Sequence, residues 1–104
     1  TGNTLYLDSS ALEGSPVFTL RHRKEGDRIA PFGMKGSRLV SDIFSDAKLP
    51  VNEKNTVWLL TRDDTILWIA GMRTSRHFAV TPSTRRILAL RYHPLKDTEN
   101  FWGK

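Results

Sequence analysis

The 104-residue chain has no cysteine, which excludes disulfide bonds and metal sites built from thiolates. It has no apolar run of about 18 residues or more, so we expect no transmembrane helix and no membrane partner. The first residues, TGNTLYLD, have neither the basic start nor the apolar stretch of a secretory signal peptide. The lack of cysteine is compatible with a reducing compartment, and we expect a cytoplasmic protein. Because the first residue is Thr, we expect the chain to be part of a longer protein.

Recognisable catalytic and metal-binding motifs are also missing. The three histidines, His22, His77 and His93, do not have metal-ligand spacing on one element, and there is no HExxH motif. No G-x-S-x-G sequence supports a serine nucleophile, and no carboxylate pair has the pattern of a tuned acid and base. We therefore expect no catalytic residue, no metal and no cofactor in this chain alone.

What the sequence does have is positive charge and enough apolar residues for a core. Sixteen Lys and Arg against eleven Asp and Glu give a net charge of +5. This balance favours an anionic partner such as nucleic acid or a phosphorylated ligand, although it can also serve only solubility. The 38% hydrophobic content and the length indicate one folded domain, which we assign to residues 1–92, followed by a polar tail at 93–104.

Residue patterns predict mainly strands. Alternating apolar and polar residues predict strands at 4–8 and 17–23, and further strands are expected at 78–81 and 85–92. Residues 57–71 form two apolar runs around a turn at 62–65, which predicts a β-hairpin covered on both faces. We expect Trp58, Trp68 and Phe78 to belong to the core rather than to a base-stacking surface, and Asp63 and Asp64 to form the turn.

One helix is predicted at about residues 38–48, with Ser37 as its N-cap and Leu49–Pro50 as its end. Its apolar face consists of Leu39, Val40, Ile43, Phe44 and Ala47. The order of elements predicts an α+β fold, a small layered β/β/α domain with β-sandwich-like sheets and one main helix.

Residues 26–37, GDRIAPFGMKGS, which we call the glycine loop, allow two interpretations. Glycines and a lysine directly before a helix start suit an anion such as phosphate. Alternatively, the loop is only a turn, shaped by Gly26, Asp27, Pro31, Gly33 and Gly36 and ended by the cap Ser37. The spacing is not that of a Walker loop.

Cations cluster in and near this loop. We expect the arginines to bind RNA phosphates through their planar guanidinium groups, although local pairing with Glu25 and Asp27 is the alternative. The candidate RNA-binding residues are Arg21, Arg23, Lys24, Arg28, Lys35, Arg38, Arg73 and Arg76.

The segments YLDSSAL, LRHRKEGDRIAPFGMKGS, KLP, ILWIAGMR and FAVTPSTRRILAL occur in an order that resembles the C-terminal domain of bacterial tRNA(Ile)-lysidine synthetase. The resemblance runs from about Tyr6 to Tyr92. It implies a layered β/β/α fold similar to a domain of the phenylalanyl-tRNA synthetase β chain. It also implies a parent enzyme whose N-terminal PP-loop domain uses ATP and Mg to join lysine to the wobble cytidine of a minor isoleucine tRNA.

The S-G-G-x-D-S motif of that PP-loop domain is absent here, so the resemblance implies a non-catalytic domain that binds the tRNA body near the acceptor stem. Gly26-Asp27-Arg28 and Pro31-x-Gly33 match the family's loop. Arg21, Arg23 and Lys24 match its basic strand, and Arg38 matches the start of its lysine-rich helix. The sequence departs from the family at Ser37, Leu39, Ser41 and Asp42, where lysines are frequent, so we expect weaker RNA contact there.

Two other functions stay open. The chain could be a structural or dimerisation module of the same enzyme that docks on the parent's other domains and has no RNA contact. It could also be a small enzyme acting on a phosphorylated ligand at residues 33–37, but no acid–base pair supports this.

Overall fold

The computed structural model describes residues 3–12, 14 and 17–93. Within these residues, eight strands and two short helices follow one another, with a 3-10 turn at Ser9–Ala11. They are β1 (Thr4–Asp8), β2 (Thr19–Arg21), β3 (Arg28–Ile29), β4 (Arg38–Leu39), α1 (Val40–Asp46), α2 (Val51–Lys54), β5 (Leu59–Arg62), β6 (Thr65–Ile69), β7 (Arg73–Thr74) and β8 (Ile87–Arg91). The predicted α+β class is confirmed.

The strands form three antiparallel sheets that stack with α1 in layers. The central sheet has the order β2-β5-β6-β7, β1 pairs with β8 to form what we call the outer ribbon, and β3 pairs with β4. The outer ribbon packs on one face of the central sheet and α1 on the other. The β5–β6 hairpin is therefore apolar on both faces, as its two uninterrupted apolar runs predict.

The core between the outer ribbon and the central sheet follows from strand alternation. Leu5 and Leu7 of β1 are buried, while Tyr6 between them is exposed, because successive side chains point to opposite faces. The two leucines pack with Leu60 and Trp68 of the hairpin. Leu7 stands opposite Leu88 in β8, which closes this layer.

A β-bulge lets both faces of the hairpin bury large side chains. Leu60 pairs with Trp68 and Thr61 with Ile66, so Leu67 has no partner in the ladder. A bulge places two neighbouring residues of one strand against one residue of the other. Leu67 and Trp68 therefore join the same core cluster, although simple alternation would separate them.

The second core cluster lies under α1. Val40, Ile43 and Phe44 recur at helical spacing and are buried against Leu59 and Ile69 of the hairpin. These positions belong to the predicted apolar face.

The predicted helix bounds and cap are wrong. The helix covers Val40–Asp46 and not residues 38–48, because Arg38 and Leu39 are extended and pair with β3. Its N-cap is Leu39, which makes no side-chain capping hydrogen bond. The hydroxyl of Ser37 instead accepts a hydrogen bond from Arg28 Nε at 2.8 Å. The helix also ends before Leu49–Pro50, because Lys48 has a left-handed backbone with φ of 59°. Pro50 is instead the N-cap of α2, which the sequence analysis missed.

Other predicted strands are shorter or absent. The strand expected at 17–23 covers only Thr19–Arg21, and that at 85–92 covers Ile87–Arg91. Residues 78–81 are not a strand, because Phe78 has a left-handed backbone with φ of 59° and only Ala79 makes a β-bridge. Apart from His93, the predicted tail lies outside the described residues. Among the residues described, no helix is long and apolar enough to cross a membrane.

Candidate nucleic-acid interface

The glycine loop connects β3 to β4 and does not lead directly into a helix. Gly33 and Gly36 have φ of 82° and 73°, a backbone conformation that glycine adopts without steric cost. Between them and α1 lies β4, and the first helical amide, that of Val40, donates to the carbonyl of Asp27 at 2.9 Å. The expectation that the loop borders a helix N-terminus is therefore wrong.

An ion pair fixes the start of the loop. Arg21 Nη1 and Nη2 donate to the two carboxylate oxygens of Asp27 at 2.8 and 3.1 Å, and the Lys24 amide donates to the same carboxylate at 2.7 Å. The hydrogen bond with Asp27 raises the pKa of Arg21. Burial alone would raise the pKa of Asp27, but the hydrogen bonds from Arg21 and Lys24 outweigh it and lower that pKa. Arg21 is thus engaged within the protein.

Two further arginines hold the rest of the loop. Arg28 donates from Nε to the Ser37 hydroxyl and from Nη2 to the Ser37 carbonyl at 3.2 Å. Arg76 Nη1 donates to the carbonyls of Met34 and Gly36 at 3.0 and 2.6 Å. These two carbonyls point towards the Arg76 guanidinium group, so this turn of the loop binds a cation that belongs to the protein itself. Arg28 and Arg76 are exposed, so their guanidinium groups also lie at the surface.

The remaining candidate cations have different environments. Lys24 and Lys35 are exposed, and neither takes part in the two ion pairs that the described residues form. Arg38 pairs with Asp46 at 2.7 Å on the surface of α1. Arg73 Nη1 lies 3.9 Å from the sulfur of Met34. Arg23 has a buried Nε without a hydrogen-bond partner in the described part of the chain.

Of the three aromatic side chains that were predicted to belong to the core, two pack there and one does not. Trp68 is buried and Phe78 packs partly on the core, as expected. Trp58 is 38% exposed and stacks on His22 with ring centroids 3.9 Å apart, so its assignment to the core is wrong. The reason is its place directly before the start of β5 and beside the edge strand β2, where Leu20 is also exposed.

The sequence analysis missed a groove between the glycine loop and the outer ribbon. Tyr6 and Phe32, which are 55% and 61% exposed, line it together with Thr4, Thr74 and Val80. Its position could not be inferred from the sequence, because β7 and the bridge between Pro31 and Ser75 bring the loop beside β1 only in the folded structure.

Within residues 3–12, 14 and 17–93, no three His, Asp or Glu side chains come together in a way that could hold a metal ion.

Comparisons with known proteins agree on one family. The model of the TilS substrate C-terminal domain matches residues 18–92. The tRNA(Ile)-lysidine synthase of Parabacteroides distasonis is 46% identical over 87 residues, which are 84% of this chain and 19% of that protein. The tRNA(Ile)-lysidine synthase of Clostridium tetani is 37% identical over 94 residues, or 90% of this chain and 20% of that protein. The chain thus spans about a fifth of the length of these relatives.

A solved structure shows the same fold. The crystal structure of a TILS C-terminal domain superposes with a TM-score of 0.70 at 22% sequence identity. The match covers 89% of this chain and 73% of the other.

Proposed function

The chain belongs to the family of TilS substrate C-terminal domains, and from this we propose that it is the non-catalytic tRNA-binding domain of a tRNA(Ile)-lysidine synthase. In this proposal the domain binds the body of a minor isoleucine tRNA on its acceptor-stem side. A separate N-terminal PP-loop domain, with ATP and Mg, converts the wobble cytidine to lysidine. The similarity to a phenylalanyl-tRNA synthetase domain stays an expectation from the resemblance.

The observation that carries the proposal is the ordered basic surface around the glycine loop. Double-stranded RNA is recognised mainly through its shape, its phosphates and its 2′-hydroxyls, which requires cations at fixed positions rather than a catalytic centre. Arg28 and Arg76 hold the loop through four hydrogen bonds to Ser37, Met34 and Gly36. Fixing the loop before binding lowers the entropy that association costs.

The candidate cations differ in whether a phosphate can reach them without breaking an existing ion pair. Lys24 and Lys35 are exposed and are not part of the ion pairs of the described residues, so a phosphate can approach them without breaking one. Arg21 would have to give up its bidentate bond with Asp27 to bind phosphate through the same nitrogens. We therefore place Lys24 and Lys35 before Arg21 as phosphate contacts.

A salt series tests the proposal. The affinity of the chain for folded tRNA is measured by fluorescence anisotropy at increasing salt concentration. Each phosphate neutralised is expected to contribute about −0.7 to −0.9 to the slope of log K against log salt concentration. Affinity that does not change with salt, or no binding at low salt, would contradict the proposal.

A structural or dimerisation module is the second candidate. It is favoured by the exposed apolar side chains Leu20 and Trp58 at the β2 edge of the central sheet. An edge strand can pair with another protein chain. Sedimentation over a range of concentrations separates the two: a dimer that forms without RNA and is lost in Leu20→Lys favours the module, and a monomer at all concentrations excludes self-association.

A further inference from the structure

We propose that the groove between Tyr6 and Phe32 binds an unpaired nucleotide of the RNA, with its base stacked on these rings. This inference rests on the proposed function, because it needs an RNA ligand, and it adds a second kind of contact to the phosphate contacts. The groove has a volume of about 210 Å³. Pockets for whole small molecules usually have about 300–1,000 Å³, so this one suits one part of a larger molecule.

The two aromatic walls are held on different elements. Phe32 follows the buried Pro31, and its amide donates to the carbonyl of Thr74 in β7 at 3.0 Å. Tyr6 lies on the outward face of β1 between two buried leucines. Both backbones are therefore fixed by hydrogen bonds or packing, while both rings stay largely exposed. Exposed aromatic rings on a fixed backbone are the usual stacking surface for unpaired bases.

The edge of β1 adds hydrogen-bonding groups to the groove. In β1 the odd-numbered residues bond to β8: Tyr92 N donates to Asn3 O, and Ser9 N donates to Arg86 O. In an antiparallel pair the alternate residues direct their amide and carbonyl groups to the other side. Part of this side is already paired, since the Asp8 amide donates to the Phe78 carbonyl and Leu7 bridges Ala79. The backbone groups of Thr4, before this bridge, face the groove, where they can bond to the edge of a base.

The charges around the groove favour a nucleotide over a peptide. None of the residues that line it is charged. Arg73 precedes the lining residue Thr74 and Arg76 follows Ser75, so both lie next to the groove along the chain. Arg91 stands directly opposite the lining residue Thr4 in the outer ribbon and is exposed.

The acidic side chain near the groove already accepts hydrogen bonds from other residues of the protein. The acidic residue Asp8, two positions after Tyr6 in β1, accepts hydrogen bonds from Ser10 and Thr84. The basic residues Arg73, Arg76 and Arg91, which adjoin lining residues in the chain or in the ribbon, can attract the phosphates of a nucleotide whose base lies in the groove.

The stacked pair of Trp58 and His22 is a weaker candidate for the same role. Each ring already covers one face of the other, at a centroid distance of 3.9 Å. Trp58 does not line the groove, so it serves as a matched control: an exposed aromatic residue elsewhere on the surface.

The experiment uses the full 104-residue chain and three RNA probes that share one duplex. One probe is blunt, one carries a short unpaired 3′ extension, and the third carries the same extension without bases. The base-free extension keeps the phosphates, so the difference between the last two probes isolates stacking. Stacking of one base corresponds to a difference in Kd of about 5- to 150-fold. We expect the extension with bases to bind at least about fivefold more tightly than the base-free extension.

Variants assign the effect to the groove. Tyr6→Ala and Phe32→Ala should each reduce the advantage of the extension with bases and leave the affinity for the blunt duplex unchanged. Phe32→Tyr keeps an aromatic ring and should restore the advantage, and Trp58→Ala should not affect it. Circular dichroism and thermal unfolding verify that each variant is folded; if Phe32→Ala is not, the comparison of the base and base-free probes on the unaltered chain decides alone.

The outcomes separate this inference from the proposed function. Equal affinity for the two extended probes, with salt-dependent binding to all three, overturns the groove assignment and leaves the tRNA-binding function standing. No binding to any probe overturns both.

Discussion

Asp27→Asn tests whether the half-buried ion pair, rather than the glycines, holds the start of the glycine loop. The carboxylate of Asp27 accepts two hydrogen bonds from the Arg21 guanidinium and one from the Lys24 amide. The Arg21 and Asp27 side chains are only 18% and 13% exposed, so water replaces these bonds poorly. Asn has the same shape but only one oxygen and no charge. Its oxygen can keep the bonds from the Lys24 amide and Arg21 Nη1, which share one carboxylate oxygen, but its amide group cannot accept from Arg21 Nη2.

The expected cost follows from this geometry. A hydrogen bond to a charged group contributes about 1.5–3 kcal/mol, and the variant loses the charge on the acceptor while Arg21 stays charged. We expect the free energy of unfolding to fall by about 2 kcal/mol at neutral pH. That is a large share of the roughly 5–15 kcal/mol that stabilises a typical domain.

The effect depends on pH in a defined direction. Because the folded pKa of Asp27 lies below the usual carboxyl value of about 3.9, its stabilisation is fully present above that value. It is lost as the pH falls through the lower folded pKa. Urea unfolding of the natural chain and of Asp27→Asn should therefore differ most near neutral pH, and the two chains should converge as the pH falls through the lowered folded pKa of Asp27.

Asp46→Asn is the matched control. Its pair with Arg38 is similar in length, but the Asp46 side chain is 66% exposed. Surface ion pairs contribute about 0–1 kcal/mol, so we expect a change below about 0.5 kcal/mol. Similar losses in the two variants at neutral pH, or a loss in Asp27→Asn that stays constant across the pH range, would refute the reasoning.

Three further changes have defined expected outcomes. Phe44→Ala removes a fully buried ring of the second core cluster, so the free energy of unfolding should fall by about 3–5 kcal/mol in urea titrations. Asp64→Gly should raise the free energy of unfolding, measured by thermal unfolding, by about 0.5 kcal/mol. Asp64 has φ of 67° in the β5–β6 turn, and a left-handed backbone costs a residue with a side chain about 1–2 kcal/mol. The added chain entropy of Gly in the unfolded state cancels part of this gain. Lys35→Ala should leave the urea midpoint unchanged and reduce the salt slope of tRNA binding by about 0.7–0.9, and an unchanged slope would exclude Lys35 as a phosphate contact.

The layered arrangement could be predicted because apolar periodicity reports burial. The two apolar faces of the β5–β6 hairpin predicted a layer on each side, and the spacing of Val40, Ile43 and Phe44 located the helix. The Asp63–Asp64 turn was also predictable, since both residues have positive φ and Asp tolerates that conformation.

The helix start and the short strands were not predictable from local patterns. Ser37 is a good N-cap by type, but its hydroxyl bonds to Arg28, which is nine residues away. Two-residue strands such as β3, β4 and β7 have too few residues to show a period, and tertiary contacts determine them. The bulge at Leu67 likewise breaks the alternation on which a prediction depends.

The candidate cations could be named from the sequence, but their environments could not. Composition identifies Arg21 and Lys35 as basic without showing that one is paired with Asp27 and the other is exposed. The groove of Tyr6 and Phe32 joins residues far apart in the chain, so no local motif indicates it.

The proposed function makes this chain one domain of a longer enzyme, so the most direct test of the central claim uses that enzyme with and without this domain. The quantity to measure is kcat/KM for lysidine formation on whole tRNA and on an isolated anticodon stem-loop. A domain that holds the tRNA body predicts a loss of about tenfold or more on whole tRNA, at least ~1.4 kcal/mol, and no loss on the stem-loop. Equal losses on both substrates would show that the domain only stabilises the catalytic part and would contradict a tRNA-binding role.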